Sequence, residues 1–276
     1  MRYFLFLICI LLPLGITACS SDKAEGPETS TTAVNEPAPV DTLYNKAAAQ
    51  MEAKSYSAAA ASFDEVERQY PYSQWATRAQ LMSAYAHYLD LNYDQAIIGL
   101  DRFIQLNPGD ENIAYAYYLR GLSFYEQISD VRRDQKMTRL ALDGLSQVVE
   151  RFPNSKYARD ASLKIDLTND HLAGKEMEIG RYYLEREQYQ AAINRFQKVV
   201  DDYQTTTHVP EALHRLTEAY LAMGLPIEAQ KSAAVLGHNY PNNIWYEDSY
   251  ALLTGENRKG VTEDKSFYEK TLGRVF

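Results

Sequence analysis

Cysteine is almost absent from this chain of 276 residues: there are two, Cys9 and Cys19, both close to the start. That excludes a disulfide-stapled scaffold and a thiolate metal centre. Histidine is equally sparse. The five, at 87, 171, 208, 214 and 238, form no His-Glu-x-x-His, so the sequence supports no metal site. Gly-x-Ser-x-Gly, a phosphate-binding glycine loop and a dinucleotide fingerprint are all missing. Positive charge is short as well, with 28 Lys and Arg against 37 Asp and Glu and a net charge of −9. A chain so balanced is poorly suited to nucleic acid or to holding an anionic surface. Asp201-Asp202 points to different sides of a helix and reads as solvated surface. The one apolar run at the start, Tyr3 to Leu14, is too short to span a bilayer, and no later stretch reaches that length.

What the chain has instead is repetition. Tyr56, Ala59, Phe63 and Pro71 set out an aromatic, a small residue, a bulky apolar residue and a proline. Tyr93, Ala96, Leu100 and Pro108 repeat all four positions. Ala141, Leu145 and Pro153 repeat the last three, and Tyr189, Ala192 and Phe196 the first three, with Gln204 where Pro would fall. Ala229 and Pro241 close the series, with Pro226 and Ala233 in the other slots. Residues four apart share a helical face, so the small side chain admits a neighbouring helix and the bulky one fills the space beside it. The Pro stops the helix. A second amphipathic run precedes each copy. Two helices and a turn, near 34 residues, is the tetratricopeptide pattern. The sequence therefore predicts an all-α solenoid of five helix pairs, about ten helices. An ordinary helical bundle is the alternative, but a bundle does not need Pro to return at one offset.

The predicted units run from Asp41 to Pro71, Ser73 to Pro108, Asn112 to Pro153, Ser155 to Gln204 and His208 to Pro241. The joints Tyr70-Pro71-Tyr72-Ser73, Phe152-Pro153-Asn154-Ser155 and Tyr240-Pro241-Asn242-Asn243 each offer Ser or Asn as an N-cap and are followed by Trp75, Tyr157 or Trp245. They read as structural punctuation. The third unit is long because of a charged segment, 129–136, expected to loop out. The fourth is long because Tyr157 to Arg186 has no Pro and one interior break candidate, Gly174, which predicts one long or kinked helix projecting beyond the stack. Trp245 to Leu253 reads as a short cap helix.

Before the repeats, Arg2 and the apolar run form a leader over residues 1–18. Ile16-Thr17-Ala18-Cys19 has the form of a bacterial lipobox, in which Cys19 is acylated and begins the mature chain. Plain leader cleavage beside an incidental Cys is the alternative. Ser20 follows in place of the Asp associated with inner-membrane retention, which points to the outer membrane. Residues 19–40 hold the Cys and a Ser-, Thr- and Pro-rich tether with a span of roughly 25 Å. The repeat domain is placed at 41–253, with halves at 41–153 and 154–253, and a polar tail at 254–276.

Beyond the repeat, Ala114-Tyr115-Ala116-Tyr117-Tyr118-Leu119-Arg120-Gly121-Leu122 and Arg133-Asp134 carry a further likeness. So do Arg151-Phe152-Pro153-Asn154-Ser155-Lys156-Tyr157-Ala158, Gly180-Arg181-Tyr182-Tyr183 and Ala191-Ala192-Ile193-Asn194-Arg195. In this order, and with the lipobox, the chain resembles the BamD (ComL) family, lipoproteins of the bacterial β-barrel assembly machinery. The likeness covers about five-sixths of the chain. The loop before Arg133-Asp134 is shorter than in many members, which puts a partner contact in doubt. Gln204 replaces the usual Pro, which is expected to loosen one turn.

The resemblance implies a non-enzymatic protein with no cofactor, carrying covalent lipid on Cys19, at the periplasmic face of the outer membrane. It implies binding to the POTRA domain of BamA, to other assembly lipoproteins, and to unfolded outer-membrane proteins at their C-terminal strand. Asn194 and Arg195 fall where the family's matching Arg lies against BamA. A lytic transglycosylase would need a separate catalytic domain, and no segment is left to house one. Another periplasmic repeat adaptor, pilotin-like or coordinating envelope division, is the remaining alternative.

The first helix of each tetratricopeptide unit lines the groove. Counting back from the consensus Ala places Tyr44, Arg78, Tyr85 and Tyr88 there, with Tyr115, Tyr118 and Arg120 as looser candidates. Tyr offers an apolar ring, a polar tip and little entropy to lose, which suits a sequence-tolerant peptide site. Arg78 or Arg120 is the expected partner for a peptide's negative end. Packing between helices is the competing role for each of these rings.

Overall fold

The computed structural model describes residues 38–255. The leader, Cys19, nearly all of the tether and all but the start of the tail lie outside the described residues. Five helix pairs follow one another: α1 (Val40–Glu52) with α2 (Tyr56–Gln69), α3 (Gln74–Leu89) with α4 (Tyr93–Leu106), and α5 (Ile113–Tyr125) with α6 (Lys136–Arg151). Then come α7 (Lys156–Glu185) with α8 (Tyr189–Asp202), α9 (Val209–Ala222) with α10 (Pro226–Asn239), and a final α11 (Ile244–Thr254). Each helix packs on the next, and the first helices also touch one another, α1 on α3, α3 on α5 and α5 on α7. This is the predicted solenoid plus the predicted cap helix.

The repeat positions explain the stack. Ala59, Phe63, Ala96, Leu100, Ala141, Leu145, Ala192, Phe196 and Ala229 are all fully buried. Each Phe or Leu contributes about 1.5–3 kcal/mol on burial, and the neighbouring Ala keeps the two helices close enough to cover it. The second helices end alike. Tyr70, Asn107, Phe152, Tyr203 and Tyr240 all have φ between −127 and −135° and ψ between 44 and 57°. Tyr203 precedes Gln204, not Pro, so the expected loosening does not occur. The turn is held without the ring: Thr206 donates its N–H and its hydroxyl to the Tyr203 carbonyl, as Ser73 does to Tyr70.

The turn inside each pair is also repeated. Lys54, Leu91, Glu187 and Gly224, each two residues before the aromatic slot or its equivalent, are left-handed, with φ of 57, 58, 60 and 74°. Only the last is glycine. Of the three expected N-caps, Ser73 accepts from the Ala76 N–H at 3.1 Å and Asn243 from the Trp245 N–H at 3.0 Å. Ser155 makes no such bond; its hydroxyl is buried without a partner.

Two further expectations are corrected: that the long helix of the fourth unit projects beyond the stack, and that 129–136 loops out. The long helix expected in the fourth unit is present: α7 is a single helix of 30 residues, about 45 Å long, unbroken at the candidate Gly174. Instead of projecting, it is packed at both ends. Ala161 joins Tyr117, Leu145 and Val148 in the core of unit three, while Met177 and Leu184 join Phe196 in the core of units four and five. Nor does the segment 129–136 loop out. Buried Gln135 donates to the carbonyls of Asp130, Val131 and Arg133, and Thr138 donates to its side-chain oxygen. Lys175 of α7 donates to the Arg132 carbonyl at 2.9 Å, and Val131 and His208 lie close against Gly174, 3.4 and 3.2 Å from where a Cβ would stand. A polar segment folds back here because one amide side chain satisfies its carbonyls.

Candidate peptide-binding face

Of the residues singled out from the sequence, the tyrosines and Arg78 fall on the layer of first helices, in two groups. In the first, Tyr44 of α1 meets Phe63 at 5.3 Å and Trp75 of α3 at 4.7 Å between ring centroids. Arg78, one turn beyond Trp75, is exposed. Burial raises the pKa of the Tyr44 hydroxyl, and the nearby Arg78 charge partly offsets that.

The second group crosses three helices. Tyr85 of α3 meets Tyr115 of α5 edge-on at 6.2 Å, and Tyr115 meets Tyr157 of α7 at 5.3 Å. Tyr118 stacks on the same Tyr157 at 5.3 Å and 23°. Tyr88 packs against Tyr93 at 5.7 Å. Acids hold two of the hydroxyls: Tyr88 donates to Glu126 at 3.4 Å, and Tyr118 donates to Asp160. Burial pushes Tyr88 up to about 12, with Glu126 adding to it, and raises Tyr115 and Tyr118 further, the latter also through Asp160. Tyr88, Tyr115 and Tyr118 are therefore neutral phenols near neutral pH. Lys164 lies 3.6 Å from Asp160, and Lys156 sits 5.1 Å over the Tyr157 ring. The surface is aromatic, with charges of both signs at its edge.

Arg120 stands apart from this set. Its guanidinium pairs with Asp101 of α4 at 2.8 Å and with Gln147 of α6 at 3.1 Å, both on second helices. Tyr118 and Arg120 are two residues apart, which puts them on opposite sides of α5. The structure thus leaves Arg78 as the singled-out cation on the first-helix layer of units one to three. Asn194 is exposed and accepts from Gln190 at 3.4 Å. Arg195 of α8 reaches back to Glu176 of α7 at 3.0 Å, with its side chain 40% exposed. Cys19 lies outside the described residues.

Sequence reasoning missed Trp75, Tyr93, Glu126, Tyr157 and Asp160. A signal for two of them was present. Trp75, Tyr157 and Trp245 return at the same place after each joint, and each lays its ring on the preceding first helix. Trp75 meets Tyr44, Tyr157 meets Tyr115 and Tyr118, and Trp245 meets His214 at 5.1 Å. Read as punctuation, these positions also bring an aromatic to the groove-lining layer.

In units four and five the same layer becomes ionic. Arg181 pairs with Glu178 at 2.6 Å and with Glu211 at 2.8 Å, and Glu178 also meets Arg132 at 3.5 Å. Arg215 of α9 joins Glu211 at 3.5 Å to Glu218 at 2.8 Å. Beside it, His214 is buried against Trp245 and shares a hydrogen bond with Ser249 at 2.9 Å. Burial, then the Arg215 charge, lowers its pKa to about 3. These charges satisfy one another, whereas the tyrosine rows present ring surface. Among the described residues no group of His, Cys, Asp and Glu is arranged to hold a metal, and no helix is long and apolar enough to cross a membrane.

A family model described as outer membrane lipoprotein, YfiO, matches residues 37–236. The outer membrane protein assembly factor BamD of Caulobacter vibrioides is 48% identical over 92% of this chain and 82% of its own length. BamD of Rickettsia prowazekii is 50% identical over 78% of this chain and 86% of its own. BamD of Neisseria meningitidis serogroup A is 35% identical over 86% and 91%.

Proposed function

The chain belongs to the YfiO family of outer membrane lipoproteins, and from that membership we propose that it is an assembly factor for outer membrane proteins, acting as a scaffold without catalysis. In this reading, lipid on Cys19 tethers it to the periplasmic face of the outer membrane. The first-helix layer of units one to three receives an extended segment of an unfolded outer-membrane protein, and the α7–α8 pair bearing Asn194 and Arg195 meets the POTRA domain of BamA. Other assembly lipoproteins complete the complex.

The observation that carries the reading is the aromatic row joining α3, α5 and α7 through Tyr85, Tyr115, Tyr157 and Tyr118. Outer-membrane strands alternate apolar and polar residues, so an extended segment sets its apolar side chains on one face. Each aromatic contact adds about 0.5–1.5 kcal/mol beyond burial. Ordering the peptide costs about 1–2 kcal/mol per residue, so the net affinity is modest. Micromolar binding, roughly −8 kcal/mol, suits a carrier that hands its cargo on.

The test is photo-crosslinking with a peptide from the C-terminus of an outer-membrane protein. Crosslinks are expected in units one to three. Tyr85→Ala with Tyr88→Ala is expected to reduce them while BamA still co-purifies. Crosslinks confined to residues after Ser155, or binding indifferent to both tyrosines, would overturn the reading.

A further inference from the structure

Gly174 and the charged segment 129–136 stand out in the sequence and have no part in the proposed function, yet the fold brings them to one place. Helix α7 serves two cores. Ala161 and Ile165 pack into that of unit three, and Ala173, Met177 and Leu184 into that of units four and five. No side chain is common to both cores. About two turns of α7, between Ile165 and Ala173, carry the link from one half to the other. Their cover is incomplete, since Leu167 is 58% exposed. A long helix bends unless its neighbours hold it.

The segment 129–136 reaches across this link. On the side of unit three it is fixed to the start of α6, where Gln135 collects the carbonyls of Asp130, Val131 and Arg133 and Thr138 bonds to Gln135 in turn. A network satisfied in this way is stiff. On the other side it meets the second half of α7. Lys175 donates to the Arg132 carbonyl at 2.9 Å, the Arg132 side chain meets Glu178 at 3.5 Å, and Val131 closes on Gly174. His208, the residue before α9, closes on the same glycine and meets Asp170 of α7 at 3.6 Å. Thr207 donates its N–H and its hydroxyl to that Asp170, at 3.0 and 2.7 Å. Units three, four and five thus converge on Gly174. Glycine is costly inside a helix, but here it leaves room for Val131 and His208 to approach together.

We propose that the segment 129–136 is a brace that fixes the angle between units one to three and units four and five, so that the solenoid does not flex at α7. In the proposed function the brace keeps the peptide-receiving layer at a constant angle to the α7–α8 pair. It rests on the contacts above and not on that function, so geometry alone tests it.

Pulsed dipolar spectroscopy reads that angle as a distance between two nitroxides. They are attached through Gln95→Cys on α4 and Gln230→Cys on α10, both exposed, in a chain that also carries Cys9→Ser and Cys19→Ser. One narrow distance distribution is expected. Lys175→Met removes the donor to Arg132, and Gly174→Leu wedges Val131 and His208 apart. Together they are expected to broaden the distribution about twofold, with the circular dichroism unchanged. Gln135→Ala, which frees the segment from α6 instead of α7, should broaden it likewise. Lys198→Met, which breaks a pair within α8 alone, should leave it narrow. Brace variants as narrow as the parent chain would overturn the proposal, and so would a parent distribution already as broad as theirs.

Discussion

Replacing Gly180 by Ala puts one carbon where the fold has no room for it. A Cβ built there lies 2.4 Å from Phe196 Cε1 and 2.8 Å from Cδ1 and Cζ. Carbon atoms prefer separations near 3.5–4.0 Å, so the ring or α7 must move by about 1 Å. Neither is free, because Phe196 is fully buried among Met177, Val199 and Leu213. Overpacking of this kind costs about 1–3 kcal/mol. Ala is better than Gly inside a helix by about 1 kcal/mol, leaving a net loss of up to about 2 kcal/mol. Phe196→Leu removes the far edge of the ring and should relieve the clash, so that in its presence Gly180→Ala becomes neutral or stabilising. Urea unfolding of the four chains of this cycle gives the coupling directly. The expected value is about 1–3 kcal/mol, with the single Gly180→Ala chain showing the lower midpoint. If Gly180→Ala stabilised the parent chain, or if the two changes simply added, the argument from close packing would be refuted. Arg195 is the neighbour of Phe196, so the same shift should also weaken its pair with Glu176 and lower co-purification with BamA.

Four further outcomes are expected. His214 has a folded pKa of about 3, below its ordinary 6.5, so its neutral form stabilises the fold above pH 6.5. That contribution should fall by about 1.4 kcal/mol per unit between those values, and His214→Gln should flatten a urea-midpoint profile across pH 7 to 4. Leu91→Gly should raise stability by about 0.5–1 kcal/mol, because a left-handed φ of 58° penalises a side chain. A lower melting temperature would refute this. Arg195→Glu should weaken BamA co-purification while leaving the circular dichroism unchanged; undiminished co-purification would remove Arg195 from the contact. Cys19→Ala should release the protein into the soluble periplasmic fraction, since acyl chains contribute about 0.8 kcal/mol per buried CH₂, and retention in high salt would count against the anchor.

The repeat was legible because its signal is local. Ala59 and Phe63 lie one helical turn apart, and Pro71 ends the same helix, so their recurrence reports a supersecondary unit before any long-range contact is known. The second helices, the cap helix and the placing of tyrosines on first helices all followed from that one period. What the sequence by itself determined is therefore the all-α solenoid, its phase, and the family to which the chain belongs. Tertiary structure decided what each side chain faces. Arg120 and Tyr118 are two residues apart, and only the placement of α4 and α6 shows that one joins Asp101 while the other joins Asp160. The charged segment 129–136 looked solvated because nothing local shows that Gln135 will collect three carbonyls and that Lys175 will hold Arg132. Gln204 looked like a defect because the sequence shows the missing Pro but not the Thr206 bonds that hold the same turn. The change from an aromatic to an ionic first-helix layer at α7 was hidden for the same reason. Arg181 and Glu211 are 30 residues apart, and only packing turns two surface-type charges into one half-buried network.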